Sequence, residues 1–75
     1  MSITKTQAVL AMYDDFLEDH QLTKSTFMAN MEISDITFKR YISELRCYFA
    51  NFAPRFEIHY NRETDTYYLE DRSKR

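Results

Sequence analysis

Apolar positions recur along this chain with two periods, and the change between them divides it. In TQAVLAMYDDFLED, residues 6–19, Val9, Leu10, Tyr13, Phe16 and Leu17 fall at i, i+1, i+4, i+7 and i+8, one stripe at helical spacing. Thr4 or Thr6 can cap the start of that helix. His20-Gln21-Leu22 reads as a short connection, and Thr23 suits the N-cap of a second helix over about residues 24–31. Phe27 and Met31 turn inward on it, with Met28 helping to fill the gap. Glu32-Ile33-Ser34 makes a turn, in which Ser34 caps a third helix and Ile33 plugs into the core as a hydrophobic staple. That helix runs from Asp35 to about Phe52, with Phe38, Tyr41, Ile42, Leu45, Phe49 and Phe52 on one face. Pro54 biases Ala53 away from helix and ends it. The period then falls to two. In RFEIHY, residues 55–60, Phe56, Ile58 and Tyr60 alternate with Glu57 and His59, and TYYLE, residues 66–70, can pair with them antiparallel. Placing Ile58 opposite Leu69 puts Tyr60 opposite Tyr67 and Asn61 opposite Thr66, with Arg62-Glu63-Thr64-Asp65 as the loop.

A lone hairpin is marginal in water, so this one is expected to pack on the helices. The order helix, helix, turn, helix, hairpin predicts a mainly helical α+β fold, the winged helix-turn-helix: three helices followed by a two-stranded β-hairpin wing. One domain over residues 1–71 is expected, with residues 72–75 as a basic, mobile tail.

Composition narrows the picture. A chain of 75 residues buries a thin core, and its six Phe and six Tyr supply much of the apolar area. Cys47 is the only cysteine, so no internal disulfide can form, and a lone Cys fits a reducing cytosol. The N-terminus has no signal-peptide pattern, and no apolar stretch approaches the roughly 20 residues a membrane span needs. A cytoplasmic location follows as an expectation. His20, His59 and Cys47 lie at no recognised zinc spacing, so neither a metal nor any cofactor is expected. Self-association is the remaining support for so small a domain, which points to a homodimer.

The net charge of −2 counts against nucleic-acid binding until its distribution is read. Residues 1–38 hold two Lys against six acids, a net of −4; residues 39–75 hold eight Lys/Arg against six acids, a net of +2. A basic face can therefore exist on an acidic chain. The acidic N-terminal half offers an alternative surface for a protein partner.

The run LTKSTFMANMEISDITFKRYISELR resembles the helix-turn-helix that opens DeoR-type and WYL-type bacterial transcription regulators. Ile33-Ser34 matches their apolar-Ser turn, and Thr37, Phe38, Arg40, Ile42 and Leu45 match the pattern of the following helix. The hairpin FEIHYNRETDTYYLED is similar to their wing, which often ends in a run like Tyr67-Tyr68-Leu69. The likeness spans about residues 6–71. Three positions depart from it. Glu32 stands where the family has Gly, so either Glu32 takes a left-handed conformation or the turn has another shape. Ile36 stands where a basic residue is usual, and Tyr41 where an acidic one is.

The resemblance implies sequence-specific binding of double-stranded DNA by a small stand-alone regulator of bacterial, phage or mobile-element type. The helix 35–52 would enter the major groove and the hairpin 56–69 would act as wing. Ser34, Asp35, Ile36, Thr37 and Lys39 would then face the duplex: Thr37 toward a phosphate or base, Ile36 toward a thymine methyl, Asp35 toward cytosine N4 or simply the helix dipole. Arg40 would clamp a phosphate, Lys24 and Ser25 would lie over the backbone, and Arg62 at the wing tip would reach phosphate or minor groove. Catalysis finds no support, because there is no Gly-rich phosphate loop and no nucleophile–base pair at a telling spacing. Two alternatives remain open: an excisionase-like protein that bends DNA, and a winged helix used for protein–protein contact.

Overall fold

Thr4 opens the first helix. Its hydroxyl accepts from the Gln7 amide and the Gln7 side chain accepts from the Thr4 amide, both at 3.2 Å, a reciprocal cap that settles the start on Thr4. This is a computed structural model, in which residues 3–74 are described. The elements run α1 (Lys5–Asp19), β1 (Gln21–Thr23), α2 (Lys24–Met31), α3 (Asp35–Phe52), β2 (Phe56–Asn61) and β3 (Thr66–Asp71), then one turn of 3-10 helix at Arg72–Lys74. The result is a mainly helical α+β fold of three helices and a three-stranded antiparallel sheet in the order β1-β3-β2.

The third strand corrects the expected two-stranded hairpin. Gln21, Leu22 and Thr23, read from sequence as connection and cap, pair with Tyr68, Tyr67 and Thr66. His20 makes this possible by taking a left-handed conformation, φ 60°, which ends α1 and turns the chain straight into the strand. Its carbonyl then accepts from the Leu69 amide at 2.7 Å. Thr23 does occupy the N-cap of α2, but its hydroxyl makes no cap bond. Its backbone belongs to the sheet, and the first amide of α2, that of Lys24, donates to the Asp65 carbonyl instead, at 3.1 Å. The β2–β3 register is the predicted one, with Ile58 opposite Leu69, Tyr60 opposite Tyr67 and Asn61 opposite Thr66.

The core gathers Met12 and Phe16 from α1, Leu22 from β1, Phe27 from α2, Phe38, Ile42, Leu45 and Phe49 from α3, and Ile58, Tyr67 and Leu69 from the hairpin. Ile33 packs against its margin as the expected staple. Four positions expected inside are not. Leu10 is 60% exposed and Leu17 is also at the surface, while Ala8 and Met12 are buried. At 100° per residue, α1 is turned by roughly 100° from the stripe its large aliphatics suggest. Phe52 is 73% exposed, on the correct face of α3 but beyond the end of the core. Tyr60 is likewise exposed, with its ring on Tyr67 at 4.6 Å.

Residues 72–75, expected to be a mobile tail, begin with an anchored residue. Arg72 donates from its side chain to the Pro54 carbonyl and from its amide to the Arg55 carbonyl, each at 2.7 Å. Arg75 lies outside the described residues.

Among the described residues three, His20, Glu32 and Asp65, hold positive φ, in a chain that contains no glycine. Glu32, at φ 54° and ψ 48°, adopts the left-handed conformation, the first of the two options its place in the turn left open. Glu32→Gly is expected to raise stability by about 1 kcal/mol, because a β-carbon is unfavourable there. Phe38→Ala is expected to cost about 3–5 kcal/mol, and Phe52→Ala no more than about 0.5 kcal/mol. Urea denaturation of the three variants checks all three values.

Candidate functional site

The turn from α2 into α3 ends with Ser34. Its hydroxyl accepts from the Thr37 amide at 3.2 Å and donates to the Thr37 hydroxyl at 3.0 Å. The cap therefore occupies both residues, although Thr37 keeps a hydroxyl proton of its own to donate. One residue further, Asp35 becomes the centre of an ionic triad. Its Oδ1 faces the Lys24 ammonium, and its Oδ2 lies 3.0 Å from the Lys39 ammonium, one turn along the same helix. Oδ1 is shut off from solvent, and Lys24 is its partner.

This triad ties the first residue of α2 to the first turn of α3. Hydrogen bonding from Lys24, then from Lys39, holds the Asp35 carboxyl below the usual carboxylate range. The bond to Asp35 in turn raises Lys24 above the usual lysine value. Two of the expected DNA-facing cations are thus engaged within the protein, and both oxygens of Asp35 are occupied. Lys39 remains largely exposed, and Lys24 is only 20% exposed at its side chain.

Beyond the triad, α3 turns an unpacked face outward. Ile36 is 64% exposed. Lys39 and Arg40 are exposed beside it, and Arg40 has no ion pair or hydrogen bond among the described residues. A shallow depression on this face is lined by Lys5, Ile36, Lys39, Arg40, Ser43 and Glu44. Lys5 and Ser43 were not expected there. Ser43 could have been found from its spacing, one turn past Lys39 and two past Ile36. Lys5 could not, because it arrives from the far end of α1, where it pairs with Glu44 at 3.5 Å.

Ser25 is exposed in the first turn of α2. Arg62 is exposed in the hairpin loop, without a side-chain partner among the described residues. The loop itself is well defined. Asn61 Oδ1 accepts from the Glu63 amide at 3.0 Å, Thr66 donates to the Thr64 carbonyl at 3.0 Å, and the Tyr60 hydroxyl donates to Asp65 at 2.9 Å. Since the Asp65 carbonyl also receives the Lys24 amide, loop and α2 are joined directly.

Acidic side chains mark another side. Asp15 and Asp19 line a depression with Thr26 and Asn30 of α2. Partial burial, then the charges of Asp19 and Asp14, raise the Asp15 carboxyl above its ordinary value. On the outer face of the hairpin, His59 Nε2 lies 2.9 Å from Glu70 and 3.8 Å from Glu57, with its ring stacked on Tyr68 at 5.1 Å. This cluster was not visible in residue spacing, because Glu70 reaches it only through the β2–β3 pairing.

No helix among the described residues is long and apolar enough to cross a membrane. Comparison with known proteins finds no matching family profile, no matching curated sequence and no matching solved structure.

The triad has a pH signature. A carboxyl whose folded value is lowered contributes stability above its unfolded value, and that contribution is lost as pH falls through the folded value. A raised lysine contributes below its unfolded value, and loses the contribution as pH rises through the folded one. Asp35→Asn is therefore expected to lower the thermal midpoint at neutral pH. The gap to the unaltered chain should close below the usual carboxylate range. Thermal melts across a pH series check this, and a gap that persists unchanged in strong acid would rule out the ionic account.

Proposed function

We propose that the chain is a winged helix-turn-helix protein that binds double-stranded DNA and regulates transcription, with α3 entering the major groove and the β2–β3 loop acting as wing. The observation that carries this reading is the outward face of α3, where Ile36, Lys39 and Arg40 stand exposed side by side. A solvent-facing helix with an apolar tip and two cations suits base-edge and phosphate contacts together. The order of elements supports it, since the hairpin follows the helix-turn-helix and is joined to α2 at Lys24 and Asp65. On this reading Arg40 and Arg62 are phosphate contacts, Ile36 meets a thymine methyl, and Thr37 donates to backbone or base. Asp35 positions Lys39 rather than touching DNA. Lys5, from α1, joins the phosphate-facing set.

A second reading is favoured by a separate observation. Leu10, Tyr48 and Phe52 are all exposed along the α1–α3 side, where Val9, Leu10, Tyr13 and Tyr48 line an apolar groove. Such a surface suits another protein chain. A second copy of this chain there would give the dimer that DNA-binding winged helices of this size commonly need.

Selection from a random DNA pool tests the first reading, with a two-part site expected if the protein binds as a dimer. Affinity should fall steeply between about 50 and 200 mM salt. Arg40→Ala is expected to weaken binding about tenfold and to make the salt dependence shallower. If no DNA is bound at low salt, the protein-contact reading stands in its place.

A further inference from the structure

The outer face of the hairpin carries a group that the DNA-binding reading does not use. Glu57 and His59 project from alternate positions of β2, and Glu70 stands on β3 directly opposite Glu57. One ligand atom from each lies within 4.8 Å of the other two. We propose that Glu57, His59 and Glu70 form a binding site for a divalent transition metal of the zinc type.

Geometry and chemistry both favour it. Nitrogen and oxygen ligands about 2.0–2.1 Å from one ion lie about 2.9 Å apart at a right angle and about 3.3 Å apart at the tetrahedral angle. His59 Nε2 stands 2.9 Å from Glu70 Oε1 and 3.8 Å from Glu57 Oε2, so small side-chain rotations bring all three onto one ion. Imidazole with two carboxylates is a borderline donor set, suited to zinc and its neighbours rather than to magnesium or calcium. The ligands also stand on two paired strands and not on a loop, so their spacing is fixed by the ladder. Tyr68, opposite His59, stacks on the imidazole at 5.1 Å and limits its rotation. Arg72 lies 3.6 Å from Glu57. It offsets part of the carboxylate charge that would draw a dication. All three ligands are partly open to solvent, so an ion can enter and water can complete its shell. The ion would join β2 to β3 and stiffen the hairpin.

The test is calorimetric titration of the untagged chain with zinc chloride, and in parallel with magnesium chloride. Zinc is expected to bind at one site and to raise the thermal midpoint, while magnesium does neither. His59→Gln and Glu70→Gln should each weaken zinc binding about tenfold or more. Cys47→Ser should leave it unchanged, since Cys47 lies on α3 away from the cluster. Circular dichroism melts without metal verify that each variant is folded. Cobalt gives an independent readout: its absorption should lack a thiolate charge-transfer band. The proposal is overturned by zinc binding no tighter than about 100 µM, by binding that survives His59→Gln, or by binding that Cys47→Ser removes. In the first of these outcomes the cluster is an ion pair of the sheet and nothing more.

Discussion

Three residues between the first two helices hold the molecule together. Gln21, Leu22 and Thr23 pair with the last strand, and everything the hairpin does depends on that pairing. Two strands alone are marginal in water. With β1 added, β3 becomes the central strand, and Leu22, Tyr67 and Leu69 close the core over Phe38 and Phe16. The pairing also dictates the backbone on either side of it. The chain must leave α1 and enter the strand within one residue, which puts His20 at positive φ. It must leave the strand and enter α2 at once; Thr23 makes no side-chain cap bond there, and the Lys24 amide donates to the Asp65 carbonyl. Those local costs are offset by the apolar area that the closed sheet buries.

Lys24 is where the parts of the candidate site meet. Its amide is bound to the hairpin loop and its ammonium to Asp35 at the start of α3. α2 is held by Phe27, its one fully buried residue, with Met28 and Met31 packed at the core margin. The two bonds of Lys24 add polar ties from this short helix to the hairpin loop and to α3. Ser34 and Thr37 secure the next turn in the same way, by bonding to each other.

The parts of this arrangement that are local in sequence were legible in it. The bounds of α3 follow from Ser34, Asp35 and Pro54, each a start or stop signal with its own mechanism. The β2–β3 register follows from the alternation of Phe56, Ile58 and Tyr60 against Tyr67 and Leu69. β1 was not legible, because three residues show no period and become a strand only through their partner. The rotation of α1 was missed for a related reason. Leu10 and Leu17 are the more hydrophobic side chains, but Ala8 and Met12 are the ones that α1 buries, and only the packed structure decides between them. Among site residues, the exposure of Ile36 and Arg40 followed from helical spacing. The pairing of Asp35 with Lys39 is an i, i+4 spacing open to reading, but the engagement of Lys24 was not legible, since it depends on how α2 crosses α3. The predicted register already sets Glu70 opposite Glu57, but the approach of the His59 ring to Glu70 is seen only in the packed structure.

That engagement changes how the charge of the candidate face should be counted. Lys24, Lys39 and Arg40 against Asp35 leave two positive charges, on a chain whose total is −2. The net charge sets the long-range field, and it opposes an approaching duplex. The local count governs once contact is made, because exposed charges more than about 10 Å away are largely screened at physiological salt. Lys39 is the pivotal group. It is exposed, and it shares Asp35 with Lys24, so a phosphate can draw Lys39 away while Asp35 keeps Lys24 as its partner. The first turn of α3 then stays anchored and a cation is released toward the ligand. On the proposed DNA-binding reading, the acidic residue at the start of α3, which on charge alone would repel DNA, would hold the helix in place and keep a lysine in reserve.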